Sequence, residues 1–284
     1  MTLYERDLNT RQDSLHVGLN GKQSQVTELL YLDATELRTF DAVVRAIHPA
    51  GDALELDQTA FYVTGGGQPH DTGALYVGDQ TLQVNDVFRK DGTVWHRIDA
   101  AADGTVALPE VGSTVHGVLD WERRYRLMRT HTAMHVLCGV VFTEFGAQVT
   151  GGNMGLESAR MDFELEDLDP ARVQHIEAVA NDVIQSGRDV SWRMLPRDEA
   201  MAIPDLIRTR VNLLPAALQV IRVVEIEGLD LQADGGTHVR NTRDVGGIRV
   251  VGTRSKGRIN KRLEIELTDP SSPHGAAGAD PNHQ

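Results

Sequence analysis

Between residues 27 and 118, apolar and polar positions alternate in short runs. FDAVVRAI, ALELDQTAFYV, TLQVNDVF, TVWHRI and TVHGVLD each have this character, and turns containing Gly and Asp separate them: Gly51-Asp52, Gly65-Gly66-Gly67, Gly78-Asp79 and Asp91-Gly92. Short strands at this spacing predict a small β-barrel or sandwich. The period changes at Asp120. From there Leu127, His131, Met134, His135, Cys138, Val141, Phe142 and Phe145 recur at helical spacing, with Asp120 as N-cap and Gly146 as the C′ residue. SARMDFEL then alternates through Met161, Phe163 and Leu165. A second helix is predicted from Asp169-Pro170 to near Gly187, with Val173, Ile176, Ala180, Val183 and Ile184 as its apolar stripe. DVSWRML, LQVIRVVEI, GGIRVV and RLEIEL read as later strands.

The fold class is therefore α+β: an N-terminal β-barrel domain over 27–118, then an α+β domain over 119–268 whose first helix carries the HxxxH pair. Residues 1–26 show no sustained period and read as a flexible extension. Residues 269–284 are poor in apolar groups and read as a disordered tail.

Charge changes this picture more than composition does. The chain has 284 residues, with 28 Lys and Arg against 41 Asp and Glu, a net charge of −13. A protein that coats nucleic acid indiscriminately is excluded, because such binding needs many phosphate-neutralising cations. The acid is unevenly placed, however. Residues 1–110 hold 8 basic and 17 acidic residues. Between Arg240 and Arg262, by contrast, stand Arg240, Arg243, Arg249, Arg254, Lys256, Arg258, Lys261 and Arg262 against Asp244 alone. Arg123, Arg124, Arg126 and Arg129 form a second cluster. Such runs are commonly solvated faces, but this one begins two residues after His238, where cations suit a phosphate or a nucleic-acid end. Cys138 is the single cysteine, so no internal disulfide forms and a reducing compartment, the cytoplasm, is expected. No apolar run reaches the roughly 18 residues of a membrane span, and the N-terminus has no signal-peptide core.

Three segments carry candidate chemistry. In His131-Thr132-Ala133-Met134-His135, one helical turn separates the imidazoles, so both can reach one metal ion. Thr132 stands where a zinc protease places its glutamate base, which excludes that class. In Asp234-Gly235-Gly236-Thr237-His238 the glycines permit a tight turn that brings Asp234 and His238 together. An ordinary surface turn would read the same way; with the first pair, three His and one Asp can close a tetrahedral site. In Tyr62-Val63-Thr64-Gly65-Gly66-Gly67-Gln68-Pro69 the glycines allow close approach to a ligand, or simply a hairpin turn, and neither nucleotide-binding fingerprint is present.

Five separated motifs occur together and in order: FYVTGGGQPHDTG, DWERRYRLMRTHTAMHVL, RDEAMAIPDLIRT, RVVEIEGLDLQADGGTHVRNTRDVGGIRV and KGRINKRLEIEL. In this the sequence resembles the alanyl-tRNA editing proteins (AlaX type, the longer form with a glycine-rich N-terminal domain), freestanding relatives of the editing domain of alanyl-tRNA synthetase, over roughly residues 27–268. The resemblance implies a trans-editing hydrolase that deacylates mischarged tRNA(Ala), chiefly the seryl form, with Zn2+ held by His131, His135, Asp234 and His238. Family members often have Cys where Asp234 stands, a departure that keeps a second expectation open: a non-catalytic tRNA-binding protein with a structural metal site. Thr150, Asn153 and the loop Gly65, Gly66, Gly67 and Gln68 are candidates to contact substrate, and Arg254, Lys256, Arg258, Lys261 and Arg262 to contact the tRNA acceptor end. No residue is singled out as a catalytic base, and the metal is left either to activate water or to position substrate.

Overall fold

The computed structural model describes residues 26–100, 107–212 and 214–268. The extension expected at the N-terminus, up to residue 25, and the tail expected after residue 268 lie outside the described residues.

Six strands close a barrel: β1 (Thr39–Ile47), β2 (Ala53–Leu56), β3 (Gly73–Val77), β4 (Gln80–Lys90), β5 (Thr93–Ile98) and β6 (Thr114–Leu119). They run in the order β1-β2-β5-β4-β3-β6, every neighbouring pair antiparallel. Strict alternation builds it: in β1, Phe40, Ala42 and Val44 point inward while their neighbours face water. Phe40, Leu54, Leu56, Phe61, Leu75 and Val87 fill the interior.

The barrel expectation holds, with two differences in its strands. ALELDQTAFYV is not one strand. After β2 only Gln58–Thr59 pairs, in parallel with Glu28–Leu29. Ala60 to Val63 is buried but leaves the ladder, because the Tyr62 amide donates to Asp71 Oδ2 at 2.7 Å. Conversely β3, GALYV, is a barrel strand that alternation does not reveal, since Ala74 and Leu75 are buried side by side.

Past the barrel, α1 (Trp121–Phe145) begins at Asp120, whose carboxylate accepts the Arg123 amide at 3.1 Å, and ends at a left-handed Gly146. Then come β7 (Val149–Met154), β8 (Ser158–Phe163), α2 (Pro170–Ser186), β9 (Val190–Pro196), the one-turn α3 (Arg197–Met201), β10 (Val220–Ile226), β11 (Asp230–Ala233), β12 (Gly247–Ser255) and β13 (Lys261–Thr268). Four strands form a sheet in the order β12-β13-β8-β7, and three form another in the order β9-β10-β11. The second core packs α1 and α2 against both sheets through Leu137, Phe163, Ile176, Val224 and Leu263.

Helix α1 is tied to the barrel by a buried ion pair. Arg124 is fully buried; its Nε donates to Asp71 Oδ2 at 2.9 Å and its Nη1 to the Thr35 carbonyl at 2.8 Å. Among the described residues no helix is long and apolar enough to cross a membrane.

Candidate metal centre

Helix α1 places His131 and His135 one turn apart on its buried face, each 6% exposed. The turn after β11 brings Asp234 and the fully buried His238 against them. One donor atom from each of the four side chains lies within 4.8 Å of all the others. His238 Nε2 stands 3.0 Å from Asp234 Oδ2, and His131 Nε2 stands 3.6 Å from Asp234 Oδ1. The three imidazole centroids are 4.5–5.2 Å apart.

Each imidazole also has a partner behind it. Nδ1 of His131 meets Gln68 Oε1 at 2.8 Å, Nδ1 of His135 meets Asp230 Oδ2 at 3.1 Å, and Nδ1 of His238 meets Thr132 Oγ1 at 3.3 Å. With Nδ1 engaged, Nε2 is the nitrogen left for an ion, the arrangement in which outer partners fix the tautomer and orientation of ligating histidines. Asp230 is itself held: Gln232 Nε2 donates to Oδ2 at 2.6 Å and Arg208 Nε to Oδ1 at 3.3 Å. Arg222 braces the turn by donating from Nη1 to the carbonyls of Gly236 (2.9 Å) and Asp234 (3.2 Å). Gly236 is required by space, because a Cβ there would stand 2.1 Å from the His131 ring.

Burial, with the Arg222 charge adding to it, pushes His131 down to about 4. Burial likewise drives His238 well below the ordinary imidazole value. For His135 burial acts downward too, but the hydrogen bond it donates to Asp230 and the Asp234 charge outweigh it, and the net shift is upward. Asp234 stays ionised against its burial, because His131 and His238 hold its carboxyl well below the usual range. Neutral imidazole and ionised carboxylate are the ligating forms. The donor set, three nitrogens and one oxygen in close convergence, fits a metal ion.

His131, His135 and Asp234 line a cavity of about 710 Å³, whose other walls include the apolar Met134, Val149, Met161 and Leu206. Gly66, Gly67 and Thr150 also line it. Gly65 and Gln68 bond each other through both backbone groups, and the two central glycines have φ of 57° and 88°. That is a two-residue turn which only glycine makes without strain. Gln68 is 1% exposed and its amide is taken up by His131 and Thr237, so it stands behind the histidine–aspartate cluster. Thr150 Oγ1 donates to Asn260 Oδ1 at 3.2 Å. Asn153 is exposed and lines a smaller neighbouring cavity with Gly65 and His70.

The basic candidates separate. Arg254 and Arg258 are exposed on the hairpin joining β12 to β13. Lys256 Nζ donates to Asp162 Oδ2 at 2.9 Å, and Lys261 Nζ to the carbonyls of Gly257 and Arg258, both at 2.9 Å. Arg262, expected on an open surface, is buried and donates from Nε and Nη2 to both oxygens of Asp162. Sequence reasoning placed Thr132 in the motif without its contact to His238, and missed Arg208, Arg222, Asp230 and Gln232, none of which is set apart by residue type or spacing.

Comparison with known proteins places these features in context. The family model described as tRNA synthetases class II (A) matches residues 12–123, and that described as Threonyl and Alanyl tRNA synthetase second additional domain matches residues 221–264. The chain is 38% identical to the alanyl-tRNA editing protein AlaX-M of Methanosarcina acetivorans, over 86% of this chain and 100% of that protein. It is 37% identical to the protein of the same name from Saccharolobus solfataricus, over 84% of this chain and 98% of the relative. The alanine–tRNA ligase of Thermococcus kodakarensis is 37% identical over 80% of this chain, which corresponds to 24% of that longer protein.

Proposed function

The chain belongs to the alanyl-tRNA editing proteins of the AlaX-M type, and from that membership we propose that it is a trans-editing hydrolase that deacylates mischarged tRNA(Ala), chiefly the seryl form. The observation that carries this reading is the convergence of His131, His135, Asp234 and His238, the first three on the wall of a cavity that Gly66 and Gly67 also line. We assign the ion as Zn2+, which favours four nitrogen, oxygen or sulfur donors in a tetrahedron. When bound it supplies a Lewis acid, or an anchor for the substrate, beside the ester. Asp234 is a harder donor than a thiolate would be at this place and leaves the ion more electrophilic.

The remaining work falls to the chain. Gln68, Asp230 and Thr132 hold the three imidazoles in register. Gly66 and Gly67 let the acylated end approach the cluster without a side chain in the way. Apolar walls limit bulk water. Serine differs from alanine by one hydroxyl, and a site that hydrogen-bonds this hydroxyl spares the substrate lacking it far better than an apolar pocket excludes the larger one. Thr150 and Asn153 are the side chains we assign to that hydroxyl or to the terminal adenosine. The hairpin carrying Arg254, Lys256, Arg258 and Lys261 is joined to the cavity wall through Asn260 and Thr150, which supports its contact with the acceptor arm. Residues 119–268 form the hydrolytic part, acting in the cytoplasm.

Deacylation of seryl-tRNA(Ala) and alanyl-tRNA(Ala) tests this. The wild type is expected to release serine and largely spare alanine, and His131→Ala to abolish release. Metal binding by the wild type without any ester hydrolysis overturns the enzyme reading in favour of a tRNA-binding protein.

A further inference from the structure

A smaller cavity of about 310 Å³ adjoins the one beside the histidine–aspartate cluster, and the reaction as described leaves it unused. Two walls run from one cavity into the next. The glycine turn gives Gly66 and Gly67 to the larger cavity, and Gly65 and Gly67 to the smaller. Strand β7 gives Thr150, Gly151 and Gly152 to the larger, and Asn153 and Met154 to the smaller. The walls meet at a ridge between the cavities, where the Met154 amide donates to the Gly67 carbonyl at 3.4 Å. Glycine stands on both walls there, as Gly67 and Gly152, so no side chain bars the way across.

Beyond the ridge the lining changes in kind. Asn153 is exposed, and its side-chain amide makes no hydrogen bond to any described residue. Pro69 and Met154 add apolar surface. His70 closes another side, its Nδ1 placed 3.1 Å from Thr64 Oγ1 and 3.3 Å from Asp86 Oδ1. Neither Lys nor Arg lines this cavity, so a phosphate is not its ligand. Its volume lies at the lower end of small-molecule sites and suits one heterocyclic base. A carboxamide donates and accepts side by side, and adenine offers the matching pair, the N7 acceptor beside the N6 amino donor. We propose that the smaller cavity is the subsite for the terminal adenine of the aminoacyl-tRNA, read by Asn153, with the ribose across the glycine ridge and the acyl group beside His131, His135 and Asp234. The proposal rests on the reading of the larger cavity as an aminoacyl-tRNA site. It also separates two side chains: Thr150, in the larger cavity, serves the acyl group, and Asn153 serves the base.

Calorimetry on the zinc-loaded, full-length protein tests it with two ligands: 3′-seryl-amido-3′-deoxyadenosine and its inosine counterpart, in which an oxygen replaces the N6 amino donor. The wild type is expected to bind the adenosine analogue roughly fivefold to a hundredfold more tightly, the range for one paired amide–adenine contact. Asn153→Ala is expected to abolish that preference by weakening the adenosine analogue alone, with zinc content and thermal melting unchanged. Thr150→Ala is expected to weaken both analogues equally and to keep the preference. On seryl-tRNA(Ala), Asn153→Ala should raise KM and leave kcat unchanged, as the loss of a contact made equally before and during reaction does. Equal binding of the two analogues by the wild type, or a preference that survives in Asn153→Ala, overturns the proposal while leaving the hydrolase reading intact. Failure of the wild type to bind either analogue removes the hydrolase reading and the proposal together.

Discussion

A buried histidine ring keeps a fixed angle when something holds one of its nitrogens, and here that something comes from far along the chain. His131 is held by Gln68, 63 residues away, and His135 by Asp230, 95 residues away. The four-residue spacing of the two histidines is visible in the sequence; their partners are not, because the contacts are made only after the barrel loop and β11 reach α1. Gln68 shows the difference in kind. From its place after three glycines it reads as a substrate contact, yet its side-chain oxygen lies 2.8 Å from His131 Nδ1 and accepts the Thr237 amide at 3.1 Å. Gln68→Ala is expected to weaken metal affinity by about ten- to a hundredfold, the usual effect of losing an outer partner. Gln68→Glu, which keeps an acceptor oxygen, is expected to restore most of it. Competition with a chromophoric chelator measures both, and an unchanged affinity in the alanine variant would show that His131 needs no such support.

At the scale of elements, the barrel was legible because each exposed-buried alternation is local, as in β1 and β4. Where burial is two-sided the signal fails: β3 hides because Ala74 and Leu75 are both inside. Docking between elements was not legible at all. Arg124 lies among other arginines in the sequence and reads as part of a solvated cluster, but it is fully buried and holds α1 to the barrel through Asp71. Breaking such a pair by removing one member leaves an uncompensated buried charge, a loss on the order of 3–5 kcal/mol, whereas the intact pair adds less than that to net stability. Asp71→Ala is therefore expected to destabilise by about that amount in urea unfolding. The double variant Asp71→Ala, Arg124→Met should lose clearly less than the single one. Equal losses for the two would mean that the pair serves packing rather than charge compensation.

For the molecule as a whole, acid resistance sets two contributions against each other. The chain carries a net −13, so a falling pH first relieves repulsion among its carboxylates. Against this stands His96 at the centre of the barrel, fully buried, with Nε2 at 2.8 Å from Thr59 Oγ1 and Nδ1 at 3.1 Å from the Leu54 carbonyl. Burial lowers its pKa from 6.5 to about 4. The folded state thus binds fewer protons than the unfolded state across that window, so stability rises with pH there. Above 6.5 the ring is neutral in both states and its contribution is complete; it is lost as pH falls towards 4. A shift of this size amounts to about 3 kcal/mol. His96→Gln removes the titration but leaves the surface charge untouched, so the comparison isolates the ring. Between pH 6.5 and 4 the wild type should lose about 3 kcal/mol more than the variant, whatever their difference at pH 7. Urea unfolding at half-unit pH steps provides the measurement. Parallel stability curves for the two proteins would mean that the barrel admits water or a proton to His96 before it unfolds.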